Sequence, residues 1–98
     1  MNTSAACEAL NKKLILQVRY DGYFRNVEVH AVGYTQDGNA VMRVWQVSGG
    51  SESGERTGWK LLRLDEASSF GLSEDSSSAP RKGYRRGDKA MSRIVCQL

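Results

Sequence analysis

The sequence is poor in the residue types that most catalytic centres, metal sites and cross-linked folds require. It holds one histidine, His30, one proline, Pro80, and two cysteines, Cys7 and Cys96, near opposite ends of the chain. These residues show no C-x-x-C or H-x-x-x-H spacing, so the pattern contains no metal centre. With one imidazole and neither a nucleophile–base arrangement nor a carboxylate pair, a catalytic site has little to be built from, and the chain is expected to be non-enzymatic and without a cofactor. No apolar run approaches the roughly 18 residues of a membrane helix. Met1 to Leu10 lacks the basic start and long apolar run of a signal peptide, so the expected compartment is the cytoplasm and no membrane is involved. In a reducing compartment a disulfide is unusual, and both cysteines are therefore read as free thiols.

What is present suits one domain. Ninety-eight residues with 40% apolar content can build a single compact core over residues 1–98. The net charge of +3 is unevenly spread. Arg81 to Leu98 carries six Lys or Arg and one Asp, whereas residues 1–80 carry eight bases and ten acids. Such a basic extension, over 80–98, suits a polyanionic partner, or else forms a solvated tail that keeps the protein soluble.

Thr3 to Lys12 is rich in helix formers, with Thr3 or Ser4 as a candidate N-cap. Leu14 to Tyr20 alternates, with Leu14, Leu16, Val18 and Tyr20 on one face, and predicts a half-buried strand. After an Asp21-Gly22 turn, Arg25 to Tyr34 alternates again, Val27, Val29 and Ala31 opposing Glu28 and His30. Ala40 to Val47 is expected to be a central third strand, and Trp59 to Asp65 a fourth whose inner face the pattern leaves ambiguous. Between them, Ser48 to Gly58 contains four glycines and two glutamates and predicts a mobile connection. The serine-rich, acidic segment Ser68 to Ala79 predicts a surface excursion. Asp88 can cap a helix over Lys89 to Leu98, with a closing strand through Ile94-Val95-Cys96 as the alternative. Together these elements predict a mainly β fold: a small antiparallel barrel with a short N-terminal helix and a C-terminal helix, because closure protects the edges of so short a sheet.

The glycines of Ser48 to Gly54 lack the following Lys-Ser or Lys-Thr of a phosphate loop and carry glutamate instead. More informative is the interleaving of bases with aromatics at Arg19-Tyr20, Tyr23-Phe24-Arg25, Arg43-Val44-Trp45, Trp59-Lys60 and Tyr84-Arg85-Arg86. Aromatic faces stack bases and cations neutralise phosphates, which is how small β domains hold single strands. The competing reading is that Tyr20, Trp45 and Trp59 fill the core.

Two segments carry a family resemblance. Ile15 to Tyr20 followed by Arg25-Asn26-Val27-Glu28-Val29-His30-Ala31-Val32-Gly33-Tyr34 is one, and Arg63-Leu64-Asp65 within Trp59 to Ala67 is the other. They resemble the WYL family over about residues 9–67. Val29 stands where that family has proline, Leu62 and Ala67 replace its Phe and Ile, and Ala40-Val41-Met42 stands in place of its Trp-Tyr-Leu signature. The resemblance implies an Sm-like or SH3-like barrel acting as a ligand-sensing or regulatory module, of the kind found in bacterial transcription regulators and phage-defence systems. It also implies binding of nucleic acid or nucleotide signals, and it implicates Tyr20, Arg25, His30 and Arg63, with Lys60 nearby. No helix-turn-helix region accompanies the segment, so the chain is expected to act as a stand-alone sensor or a partner subunit.

Two functions remain open at this point. In the first, Arg25, Lys60, Arg63 and the block Arg81, Lys82, Arg85 and Arg86 contact the phosphates of single-stranded nucleic acid or a nucleotide, while Tyr20 or Tyr84 stacks on a base, with His30 alongside. In the second, the basic segment or a sheet edge docks on an acidic regulatory protein partner.

Overall fold

A computed structural model describes residues 1–98. The expected helix, α1 (Thr3–Lys12), is present, but its cap is Asn2, whose side chain accepts a hydrogen bond from the Ala5 amide at 2.8 Å. Lys13, at φ 53°, ends the helix in the left-handed conformation usual for that position. Six strands follow: β1 (Leu14–Tyr20), β2 (Tyr23–Tyr34), β3 (Ala40–Gly49), β4 (Gly58–Arg63), β5 (Ser69–Ser76) and β6 (Arg93–Gln97). All pairings are antiparallel, in the order β4-β3-β2-β1-β5, with β6 added to β2.

The long strand β2 organises the sheet. One of its edges pairs with β3, while the other serves β1 at its start, Val27 opposite Leu16, and β6 at its end, Val32 opposite Cys96. Gly33 lies where β6 joins, and a Cβ there would run into the Arg93 carbonyl. As expected, β3 is interior, lying between β2 and β4.

Four expectations are corrected. The sheet is open: its outermost strands β4 and β5 do not pair with each other, so there is no closed barrel. Closure was expected as the means of edge protection, but β5 guards its edge with Glu74, Asp75 and serines, which discourage further pairing. The supposed excursion Ser68 to Ala79 contains that strand, because ladder hydrogen bonds come from the backbone and do not require apolar side chains. Ser73 strengthens it by donating to the Ile15 carbonyl at 2.9 Å.

The C-terminal helix is absent. Asp88 does cap a turn, its side chain accepting from Ala90 N at 3.0 Å and its carbonyl from Met91 N at 3.0 Å, but the turn stops there. Beyond it the β-branched Ile94 and Val95 extend along β2 as β6, the alternative weighed above. Finally, the cysteines are not free: Cys7 on α1 and Cys96 on β6 form a disulfide, with Cα atoms 6.0 Å apart. Since α1 packs against β2 and β6, the two ends of the chain meet despite a separation of 89 residues.

The two faces of the sheet are covered differently. On one, Ala6, Ala9 and Leu10 of α1 pack on Leu16, Val18, Val27, Val29, Val32, Met42, Val44, Leu62 and Leu64. A register shift between Val29 and Ala31 makes His30 an extra residue in β2, so that Val32 returns to this apolar face while Ala31 joins Val41 and Met91 on the other. The second face carries Glu28 and His30 and is covered by an irregular strap, residues 77–92.

Candidate functional site

The second face is built from a polar row. Strand register sets Glu28 beside Trp45 and Trp45 beside Trp59 across β2, β3 and β4. Glu28 is 1% exposed and fully partnered by the strap. Arg81 donates from Nε to Oε1 at 2.6 Å and from Nη2 to Oε2 at 3.2 Å, and the Ser78 amide donates to Oε2 at 2.6 Å. Burial raises the Glu28 pKa, but the Arg81 and Ser78 hydrogen bonds outweigh it, so the carboxyl is held below its ordinary value. The Arg81 guanidinium also stands over the Trp45 ring, 5.7 Å from its centre.

His30, with no exposed surface, completes this latch. The Arg81 backbone N–H donates to its Nε2 at 2.9 Å, so that nitrogen carries no proton. The proton is on Nδ1, which donates to the Glu28 carbonyl at 2.9 Å. Burial pushes the His30 pKa below its ordinary 6.5, against the opposing pull of the hydrogen bond to Glu28 and of its charge. His30 is therefore neutral at neutral pH. Its ring sits edge-on to Trp59 at 4.7 Å and 5.2 Å from Tyr84, and Trp45 meets Trp59 at 5.3 Å, nearly perpendicular.

Further along, the strap is tied down again. Tyr84 Oη donates to the Leu98 carbonyl at 3.1 Å, Gly87 N donates to Gln97 Oε1 at 2.9 Å, and Arg43 grips both oxygens of Asp88 at 2.7 and 3.2 Å. That grip holds the Asp88 carboxyl below its ordinary pKa. Between these ties lies a cleft of about 590 Å³ lined by Arg43, Trp59, residues 83–87, Asp88 and Lys89. Arg85, Arg86 and Lys89 are exposed and make no ion pair within the chain. The one carboxylate in the lining, Asp88, is already occupied, so the cleft is strongly positive and has an aromatic wall.

The ten residues singled out from the sequence are scattered. Tyr84, Arg85 and Arg86 line the cleft, and Lys82 is exposed beside it on the strap. Arg81 and His30 lie beneath the strap as its latch. Tyr20 is buried, accepting from the Arg63 amide at 3.2 Å and donating to Glu66 at 2.8 Å. Arg25 is also buried, 3% exposed, and holds the hairpin by donating to the Tyr20 carbonyl and to Gln46, its guanidinium over the Tyr20 and Tyr23 rings. Arg63 pairs with the neighbouring Asp65 at 2.6 Å, and Lys60 donates to Ser51 and Ser53. Neither borders the cleft.

Of the lining residues, Arg43, Trp59, Lys89 and Asp88, with Gly83 and Gly87, are not among the site residues assigned from the sequence. For the first two the signal was present, in the base–aromatic interleaving of Arg43-Val44-Trp45 and Trp59-Lys60. Glu28, the residue that fixes the strap, lies in the alternating strand and in the segment of family resemblance, but neither marks it as a partner of Arg81. Compared with protein-family models, with curated proteins and with solved structures, the chain finds no match.

Proposed function

We propose that the chain is a non-enzymatic binding module for an anionic ligand, a nucleotide or single-stranded nucleic acid, held in the cleft between β3, β4 and the strap. One observation carries this reading: Arg85, Arg86 and Lys89 stand without anionic partners beside the aromatic wall of Trp59 and Tyr84. Cations supply attraction to phosphate, and an aromatic face supplies sequence-tolerant stacking. The resemblance to WYL domains supports the same class of ligand and a regulatory, sensor-like role, as a stand-alone subunit or a partner of a larger regulator. An acidic protein surface would be drawn to the same cations and is the competing occupant.

No helix is long and apolar enough to cross a membrane. The Cys7–Cys96 bond weighs against a reducing compartment such as the cytoplasm, where thiols are kept reduced.

The test is affinity for a short oligonucleotide at several salt concentrations. Log affinity should fall linearly with log salt, and Arg85→Ala/Arg86→Ala should lower the slope by about 1.4, the worth of two single-strand phosphate contacts. Absence of binding by the wild type at low salt, with an acidic protein partner still retained, would replace this reading by the protein-docking one.

A further inference from the structure

Resting on the anion-binding reading above, we infer that the cleft takes one mononucleotide, a nucleoside di- or triphosphate, and does not track a nucleic-acid strand. A strand-binding groove needs a run of unoccupied cations along the backbone path. Of the seven bases assigned to such a path from the sequence, four are already engaged within the chain. Arg25 is buried beneath Tyr20 and Gln46, Lys60 is on Ser51 and Ser53, Arg63 is on Asp65, and Arg81 is on Glu28. The unpaired ones are the neighbours Lys82, Arg85 and Arg86, joined at the cleft by Lys89. Of those seven, the free ones therefore fall at one place, whereas the other cations without an ion pair, Lys13, Arg19, Arg56 and Arg93, do not line the cleft.

The size and polarity of that place agree. About 590 Å³ is the volume of a small-molecule site. Its unoccupied polar side chains are mainly donors: two guanidinium groups, one ammonium and the indole N–H of Trp59, which makes no hydrogen bond within the chain. Gly83 keeps that indole accessible, since a Cβ there would lie 3.2 Å from Trp59 Nε1, and its φ of +94° suits glycine. The Asp88 oxygens, the obvious acceptors, are taken by Arg43 and by Ala90 N. A set of clustered donors against the Trp59 and Tyr84 rings, whose centres lie 6.4 Å apart, suits a ligand with several phosphate oxygens at one end and a flat ring at the other.

Calorimetric titration of the full chain at low salt with adenosine triphosphate, inorganic tripolyphosphate and oligothymidylates of about 4 and about 16 nucleotides tests this. The expected result is one adenosine triphosphate per chain, bound about tenfold or more tighter than tripolyphosphate, the worth of one base on an aromatic wall. Oligothymidylate affinity per chain should stay level as the length grows. Affinity and salt slope that rise with oligonucleotide length would overturn the mononucleotide site while leaving the anion-binding reading intact. Equal affinity for tripolyphosphate and adenosine triphosphate would also overturn it, since the aromatic wall would then play no part. Binding of none of the probes would remove both readings. Arg86→Gln, an exposed change that leaves the latch untouched, should weaken adenosine triphosphate several-fold without altering the thermal midpoint, and an unchanged affinity would contradict the placement of the phosphates.

Discussion

One sheet carries two coverings of opposite character. On the first face a helix buries alanines and leucine against aliphatic strand residues, and cohesion comes from area removed from water together with the Cys7–Cys96 bond that ties the helix to β6. On the second an irregular strap is held by one buried carboxylate, one neutral imidazole, an Arg43–Asp88 pair and two hydrogen bonds to the chain's last residues. No ion pair joins the first covering to the sheet, so it should respond little to pH and salt. The second rests on ion pairs and should respond to both, and because its ties are spaced along the strap, a cleft remains between them. The proposed binding site lies where coverage is held at points and not by continuous packing.

The contrast is sharpest in stability. Leu16→Ala, which removes a side chain 1% exposed from the apolar face, should cost about 2–5 kcal/mol in urea denaturation. The loss should be the same at pH 5 and pH 7.5. A pH-dependent loss would mean that the two faces are not separable.

Next in size is the latch. Glu28→Gln removes the charge that Arg81 faces while keeping one acceptor, and should cost about 1–3 kcal/mol at neutral pH. The sign of its pH dependence follows from the lowered pKa: the stabilisation is present above the unfolded value of 4.5 and is lost as pH falls through the folded one. Glu28→Gln should therefore flatten the acid limb of the stability curve below pH 4.5, and an unaltered limb would place the acid sensitivity elsewhere.

His30 contributes a separate step. Its folded pKa lies below 6.5, so the unfolded chain takes up the proton first, and stability falls as pH drops below 6.5. Glu28, Arg81 and Tyr84 are the titratable groups facing it, and neither Arg81 nor Tyr84 titrates in that window. Wild-type unfolding followed from pH 7.5 to 5 should show this loss, and His30→Gln should abolish it.

The two faces also differ in how far they were legible in the sequence. The apolar face was readable because its period is local: Leu16, Val18 and Tyr20 alternate, and β1 begins and ends where that alternation does. The strap was not, because its partners are distant. Arg81 meets Glu28 across 53 residues, and a lone glutamate in an alternating strand looks like a solvated one. The bulge at His30 was invisible for a related reason, since it depends on the register with β3, and it moved Ala31 off the face that strict alternation assigns. Bond formation between Cys7 and Cys96 likewise required knowing that α1 lies on β6. Of the candidate site, the basic block supplied Arg85 and Arg86, which line the cleft beside Tyr84. It did not separate them from Arg81 four residues earlier, whose identical side chain points inward.

That separation is the central claim, and the urea midpoint tests it most directly. Arg81→Ala should lower the midpoint clearly at pH 7.5, because Glu28 is left buried without its cation, whereas Arg85→Ala/Arg86→Ala should leave it unchanged. Equal midpoints for the two variants would contradict the account, for the basic segment would then be one solvated run with no division between latch and site.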